Sequence, residues 1–149
     1  MGDSTGRALL MDITENPDDD TPRLVYADWL EERNGPGDSS RAEFIRLSVR
    51  MPDVTVWSTG LMLAVRGDHG RLSELANEHW TDWVESLRKR LAGSPLQRWL
   101  GTNDCRWAYR RGFVAVFEGT QQVLFDAWDD LFRLGPIEEV KANNLAHLG

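Results

Sequence analysis

Cysteine occurs once in this chain of 149 residues, at Cys105. That excludes an internal disulfide and a cysteine-based zinc cluster, and it fits a reducing compartment. Long apolar runs are also missing. None approaches the ~20 residues of a membrane-spanning helix. The first residues lack the charged and apolar stretches of a signal peptide. Gly6 stands where a myristoylation motif needs Ser or Thr. The expectation is a cytoplasmic protein without a membrane contact. Positive charge is short too: 17 basic side chains face 24 acidic ones, a net charge of −7. Such a balance disfavours general affinity for nucleic acid. There is no glycine-rich phosphate loop after a strand, no low-complexity tract and no internal repeat.

Tryptophan, by contrast, is abundant, with seven residues. A chain of this length buries roughly 68–70% of its unfolded surface, enough for one core without a staple. The periodicity predicts a first helix over Thr5 to Glu15, with Ala8, Leu9 and Ile13 inward, ended by Asn16-Pro17. Three carboxylates follow, Asp18, Asp19 and Asp20, and then Thr21-Pro22. Thr21 suits an N-cap and Pro22 the first helical position. The triplet then compensates the positive end of the second helix. That helix is expected from Pro22 to Arg33, with apolar residues over most of its circumference and hence largely surrounded by protein. Asp28 falls on its apolar side, so a partner is needed. Arg41 and Arg46 are the candidates. Ser40 and Glu43 have capping-box spacing at the start of a third helix. Its inward stripe is Phe44, Ile45, Leu47, Ser48 and Met51, and Pro52 ends it.

Residues 53–70 read poorly: Val54, Val56 and Trp57 alternate like a strand, Leu61 to Val65 suggest a helical turn, and Gly67 to Gly70 a loop. The clearest helix follows. Leu72, Leu75, Ala76, Trp80, Trp83, Val84, Leu87 and Leu91 keep three-four spacing, with Arg88, Lys89 and Arg90 at the negative end. Alternation then predicts a hairpin. Cys105, Trp107 and Tyr109 form one face of its first strand, Arg111-Gly112 the turn, and Val114 and Val116 alternate with Phe113, Ala115 and Phe117. A helix from Thr120 uses Val123, Leu124, Ala127, Trp128, Leu131 and Phe132. A last strand is expected over Ile137 to Asn143. The order is about four helices and then β-β-α-β, an α+β class. The segments are 1–52, 53–103 and 104–149, sharing one body.

The stretch Asp-Asp-Asp-Thr-Pro-Arg-Leu-Val-Tyr-Ala-Asp-Trp-Leu-Glu-Glu-Arg over 18–33, with Arg-Ala-Glu-Phe-Ile-Arg-Leu over 41–47, resembles the bacterial repeat-companion domain. That short helical module is abundant in planctomycetes and found in myxobacteria. Its usual Gly-Asp-Pro-Arg-Gly linker is longer here, Asn34 to Ser40. Glu78 to Trp83, Trp107 to Phe117 and Leu131 to Ile137 look like the segment that joins the module to leucine-rich repeats. The resemblance implies a module that accompanies repeat arrays and supplies no catalytic residues. A leucine-rich repeat needs apolar residues at positions 1, 4, 6, 9 and 11 of its strand unit. Ile137, Val140, Ala142 and Leu145 fill four, and His147 fails the fifth. Residues 104–149 therefore resemble an N-terminal cap plus a first strand, whose edge can pair with another chain.

Chemistry-bearing constellations are few. The acidic triplet lacks an EF-hand pattern and reads as solvated charge rather than a Mg²⁺ or Ca²⁺ site. Asp28 with Glu31 or Glu32 shares a helix face without a histidine or nucleophile nearby. His69, Glu74, Glu78 and His79 do not match a metal-binding helix. Cys105 reads as a buried inert thiol. These readings predict a non-enzymatic protein-interaction or adaptor module with no cofactor and an unidentified protein partner. Its candidate surfaces are the acidic second helix and the strand with Ile137, Val140, Lys141, Ala142 and Asn143, where self-association is also open. The alternative is nucleic-acid or polyanion binding through Arg88, Lys89, Arg90, Arg98, Arg106, Arg110 and Arg111, seven cations beside Asp104 alone.

Overall fold

The computed structural model describes residues 2–58, 63–65, 70–100, 102 and 104–143. Three helices come first: α1 (Gly2–Glu15), α2 (Thr21–Arg33) and α3 (Asp38–Arg50). Two short strands follow, β1 (Val56–Ser58) and β2 (Leu63–Val65), and then the long helix α4 (Gly70–Arg90). A 3-10 turn (Pro95–Arg98) leads to β3 (Cys105–Arg110), β4 (Phe113–Gly119), α5 (Gln121–Leu131) and β5 (Glu139–Ala142). The class is α+β, with helices at the N-terminus and the β-β-α-β unit at the C-terminal end.

The sheet is larger than the sequence predicts. Its order is β2-β1-β3-β4-β5. β1 docks antiparallel on β3, pairing Val56 with Tyr109 and Trp57 with Ala108. β2 pairs antiparallel with β1, so the expected helical turn near Leu63–Val65 is a strand. Leu61, Met62, Gly67, His69, Leu145, His147 and the side chain of Trp80 lie outside the described residues. β5 alone runs parallel, beside β4, with α5 as the crossover that a parallel pair needs.

Local chemistry sets the element ends, in places by other residues than expected. Thr21 does not cap α2. The Asp19 carboxylate accepts the Thr21 N–H at 2.9 Å, while Pro22 occupies the first turn. Asn34 closes α2 in the left-handed region with φ 51°. Nor do Ser40 and Glu43 form a capping box. α3 begins two residues earlier, after Gly37 at φ 78°, and Glu43 instead takes both arms of Arg71 at 2.7 and 2.9 Å. Thr120 does cap α5, accepting the Val123 N–H at 3.3 Å. The α2 surface is less covered than its composition implies, with Leu24 38% and Val25 44% exposed.

Two apolar clusters make the core. The larger joins Phe44, α4, the 3-10 turn, the β3–β4 hairpin and α5. The smaller joins Ile13, Ala27, Leu30, Ala42 and Ile45 of the three N-terminal helices to Phe113 of β4. Strict alternation along β4 fails. Ala108 pairs with Val116 but Tyr109 with Val114, so Ala115 is the extra residue of a bulge. Val114 and Phe117 therefore both join the larger core, while Ala115 and Val116 share a separate cluster with Ala108 and Trp57.

The hairpin turn is Arg111 at φ 52° and Gly112 at φ 89°, the pair of positive values that a two-residue hairpin loop needs. A Cβ on Gly112 would lie 2.8 Å from the Ile45 Cα. Gly112→Ala is thus expected to lower the unfolding free energy by about 1–3 kcal/mol. Urea denaturation measures it, and an unchanged midpoint would contradict this packing.

Candidate functional site

Two regions collect the residues that can contact another molecule: the C-terminal edge with α5, and a cavity between the helices and the hairpin. At the edge, β5 has β4 on one side and no strand on the other among the described residues. The candidate strand residues divide. Ile137 and Val140 are half-buried against the larger core, while Lys141 and Ala142 are exposed. Asn143 donates its backbone N–H to Gly119 at 2.9 Å.

Helix α5 buries Val123, Ala127 and Leu131 and turns a second apolar face outward. Phe125 is 87%, Trp128 49% and Phe132 46% exposed, with the last two rings in edge contact at 5.8 Å. The expectation that Trp128 and Phe132 point inward is therefore corrected. The three-four spacing that marks them as core belongs equally to the opposite side of a helix with two apolar stripes.

The basic segment does not form one surface. Arg98 faces Asp126 at 3.6 Å, and Arg106 is ion-paired with Glu118. Arg110 lies 3.5 Å from both Glu138 and Glu139. Arg111 bonds Asp20 at 3.0 Å and the Pro17 carbonyl at 2.8 Å. Arg90 enters the cavity described next. Arg88 and Lys89 stay exposed at the end of α4. Carboxylates that are distant in sequence thus neutralise much of a run that looks uncompensated along the chain.

The cavity measures about 210 Å³. From α2 come Tyr26, Leu30 and Arg33, from the start of α3 Asp38 and Arg41, and from one face of α4 Asp82, Trp83, Ser86, Leu87 and Arg90. Tyr109, Phe113 and Val114 of the hairpin close it. Arg41 is its central group. Its guanidinium carbon sits 5.5 Å from the Phe44 ring centre, 5.2 Å from Trp83, 5.5 Å from Tyr109 and 5.3 Å from Phe113. Its Nη1 is shut off from solvent and has no hydrogen-bond acceptor. Burial pushes the Arg41 pKa down, against the opposing influence of Tyr109 and Tyr26, and the charge of Arg90 adds to the lowering. Arg90 keeps part of its side chain in solvent and donates to the Leu134 carbonyl at 3.4 Å. Desolvation by the cavity walls lowers its pKa too. An arginine nevertheless stays charged.

Arg41 is therefore not the partner of Asp28. Arg46 is, at 2.6 Å, together with Glu31. Asp28 itself is largely exposed, at 67% of its side chain, and not on a buried face. The buried carboxylate is Asp38, which the sequence reading missed. It is held by both arms of Arg33 at 2.7 Å and by the Gly35 N–H at 2.9 Å. A cation at the inward spacing of Phe44, Ile45 and Ser48 was the signal that could have exposed the role of Arg41.

Elsewhere, burial pushes the Cys105 thiol up to about 12, with Asp104 adding, so the thiolate is not populated near neutrality. His79 stacks on Trp83 and lies 3.7 Å from Glu78, while Glu74 bonds Arg71. Among the described residues no three His, Cys, Asp or Glu side chains are grouped to hold a metal ion. No described helix is long and apolar enough to cross a membrane. No protein-family model matches the chain, and no curated protein or solved structure is similar to it at a significant level.

The Arg33 hydrogen bonds hold the Asp38 carboxyl below its ordinary value of 3.8. Their contribution is present above that value and is lost as pH falls through the lower folded one. Arg33 is 43% exposed, so solvent screening limits the gain. Asp38→Asn should cost about 1 kcal/mol near neutral pH. In urea titrations the gap from wild type should shrink in strong acid. A gap independent of pH would show that the ion pair is not its source.

Proposed function

We propose that the chain is a non-enzymatic protein-interaction module of the repeat-companion kind, working in the cytoplasm, whose partner docks at the β5 edge and the outer face of α5. The observation that supports this best is an edge strand with no further strand beside it among the described residues, together with three exposed aromatic side chains on α5 and its C-cap. An unpaired edge offers a row of backbone donors and acceptors. Exposed aromatic side chains are the residue type that anchors protein interfaces. Two of the four β5 residues are charged, Glu139 and Lys141 on either side of Val140, and they lie 4.0 Å from each other, so each offsets the other's charge. The parallel βαβ unit, β4-α5-β5, has the connection a further repeat would continue. The polyanion reading is not carried forward, because Arg98, Arg106, Arg110 and Arg111 have carboxylate partners within the fold.

Affinity capture from host cells with tagged wild type, the double variant Phe125→Ser/Trp128→Ser, and Lys141→Pro tests this reading. Each variant alters an exposed position. The expected result is one protein retained by wild type and bound roughly tenfold or more weakly by both variants, since an aromatic anchor contributes about 2 kcal/mol. A partner lost only after nuclease treatment, or held equally by all three chains, would overturn the proposal. Sedimentation of the same proteins shows whether the retained partner is a second copy.

A further inference from the structure

The cavity around Arg41 has features that packing alone does not require. A guanidinium nitrogen there is cut off from water without an acceptor. Buried polar groups in folded proteins are almost always satisfied, so Arg41 is held with less than its full set of hydrogen-bond partners. Four aromatic rings 5.2–5.5 Å away compensate part of the charge through their faces. Rings accept no strong directional hydrogen bond, so the fork of Arg41 keeps unused donors. A second cation, Arg90, lines the same space. Two guanidinium groups sharing one cavity repel each other, which structural packing would avoid.

We propose that this cavity is a binding site for a carboxylate carried on a small apolar body, with Arg41 and Arg90 as the residues that recognise its charge. The charge balance points to a single negative charge. The lining holds Arg33, Arg41 and Arg90 against Asp38 and Asp82, and Arg33 is already committed to Asp38. Arg41 and Arg90 against Asp82 leave one net positive charge. A phosphate dianion would meet the Asp82 carboxylate with one charge in excess, whereas a carboxylate matches. Arginine also presents two parallel N–H groups that fit the two oxygens of a carboxylate. Size points the same way. At about 210 Å³ the space is below the ~300 Å³ at which pockets for drug-sized ligands begin. Tyr26, Trp83, Tyr109 and Phe113 give it aromatic walls. The occupant is therefore a free small carboxylic acid or the carboxylate-bearing end of a polypeptide.

The experiment titrates the ¹⁵N-labelled full chain with phenylacetate, with phenylacetamide as its uncharged counterpart, with inorganic phosphate, and with N-acetylphenylalanine as a mimic of a chain terminus. Saturable shifts of the amide signals of Arg41, Trp83 and Tyr109 are expected with the carboxylates. Phenylacetamide should bind roughly tenfold or more weakly, the loss expected when a charge-assisted hydrogen bond is absent, and phosphate should be weaker too, since it brings a second charge toward Asp82 and no apolar body for the aromatic walls. Arg41→Met keeps the volume, and the surface variant Arg90→Gln guards against a failure of Arg41→Met to fold. Each should weaken phenylacetate by a similar factor. The proposal is overturned if phenylacetate and phenylacetamide bind alike, if phosphate binds more tightly, if neither variant weakens binding, or if no carboxylate gives a saturable shift. The stronger binder of phenylacetate and N-acetylphenylalanine distinguishes a free acid from a chain terminus.

Discussion

The tip of the β3–β4 hairpin is the contact on which the rest of this fold depends. Among the described residues, Phe113 is the one strand residue in the cluster of the three N-terminal helices. Gly112 lets the turn approach the backbone of α3 at Ile45. Arg111 ties the same turn to Pro17 and Asp20 ahead of α2 and to Glu138 ahead of β5. Three consecutive residues, Arg111, Gly112 and Phe113, thus join the helical layer, the sheet and the edge strand. The contact also explains the acidic triplet. Asp19 caps α2 through the Thr21 N–H, and Asp20 receives Arg111 and lies 3.9 Å from the buried Arg23. Burial, then the charge of Arg111, pushes the pKa of Arg23 down, and Asp20 opposes that cost.

The hairpin also creates the cavity. Tyr109 and Phe113 reach Arg41 only because the tip is seated in the helical layer. A buried guanidinium without a carboxylate is costly, and four ring faces at ~0.5–2 kcal/mol each offset part of that cost. An anion bound beside Arg41, as proposed, would stabilise the folded state by mass action.

Long periodic elements were legible in the sequence. The spacing from Leu72 to Leu91 gives α4 because one stripe of a long helix is buried. Thr120 marks the start of α5, and Arg111-Gly112 marks the hairpin because few dipeptides tolerate two positive φ values. What was illegible depends on distant contacts. β1 and β2 are three residues each: alternation at Val54, Val56 and Trp57 hinted at the first, the second was expected as a helical turn, and they are held by pairing, β1 with β3 and β2 with β1. Asp28 looked buried because α2 is apolar nearly all round, yet Leu24 and Val25 share its open side. The caps expected of Thr21 and Ser40 are not made: α2 and α3 start after Asp20 and Gly37, neither of which caps through a side chain, and Asp19 takes the Thr21 N–H instead. The bulge at Ala115 shifted the register without a glycine or proline to announce it. The basic run looked like a surface because its partners, Glu118, Asp126, Glu138, Glu139 and Asp20, are scattered along the chain. Arg41 was expected as a partner for Asp28, and its place among the rings of Phe44, Trp83, Tyr109 and Phe113 depends on three segments that are distant in sequence.

Native-state hydrogen exchange on wild type and Phe113→Leu tests most directly whether the hairpin tip unites the two halves. The substitution removes the ring from both the helical cluster and the Arg41 cavity while keeping an apolar side chain in the seat. The coupled architecture predicts that amides of α1, α2 and α3 lose protection together with those of β3 and β4, by a similar free energy. A loss confined to the hairpin, with the three helices exchanging as in wild type, would show that the halves are stable independently and would contradict it.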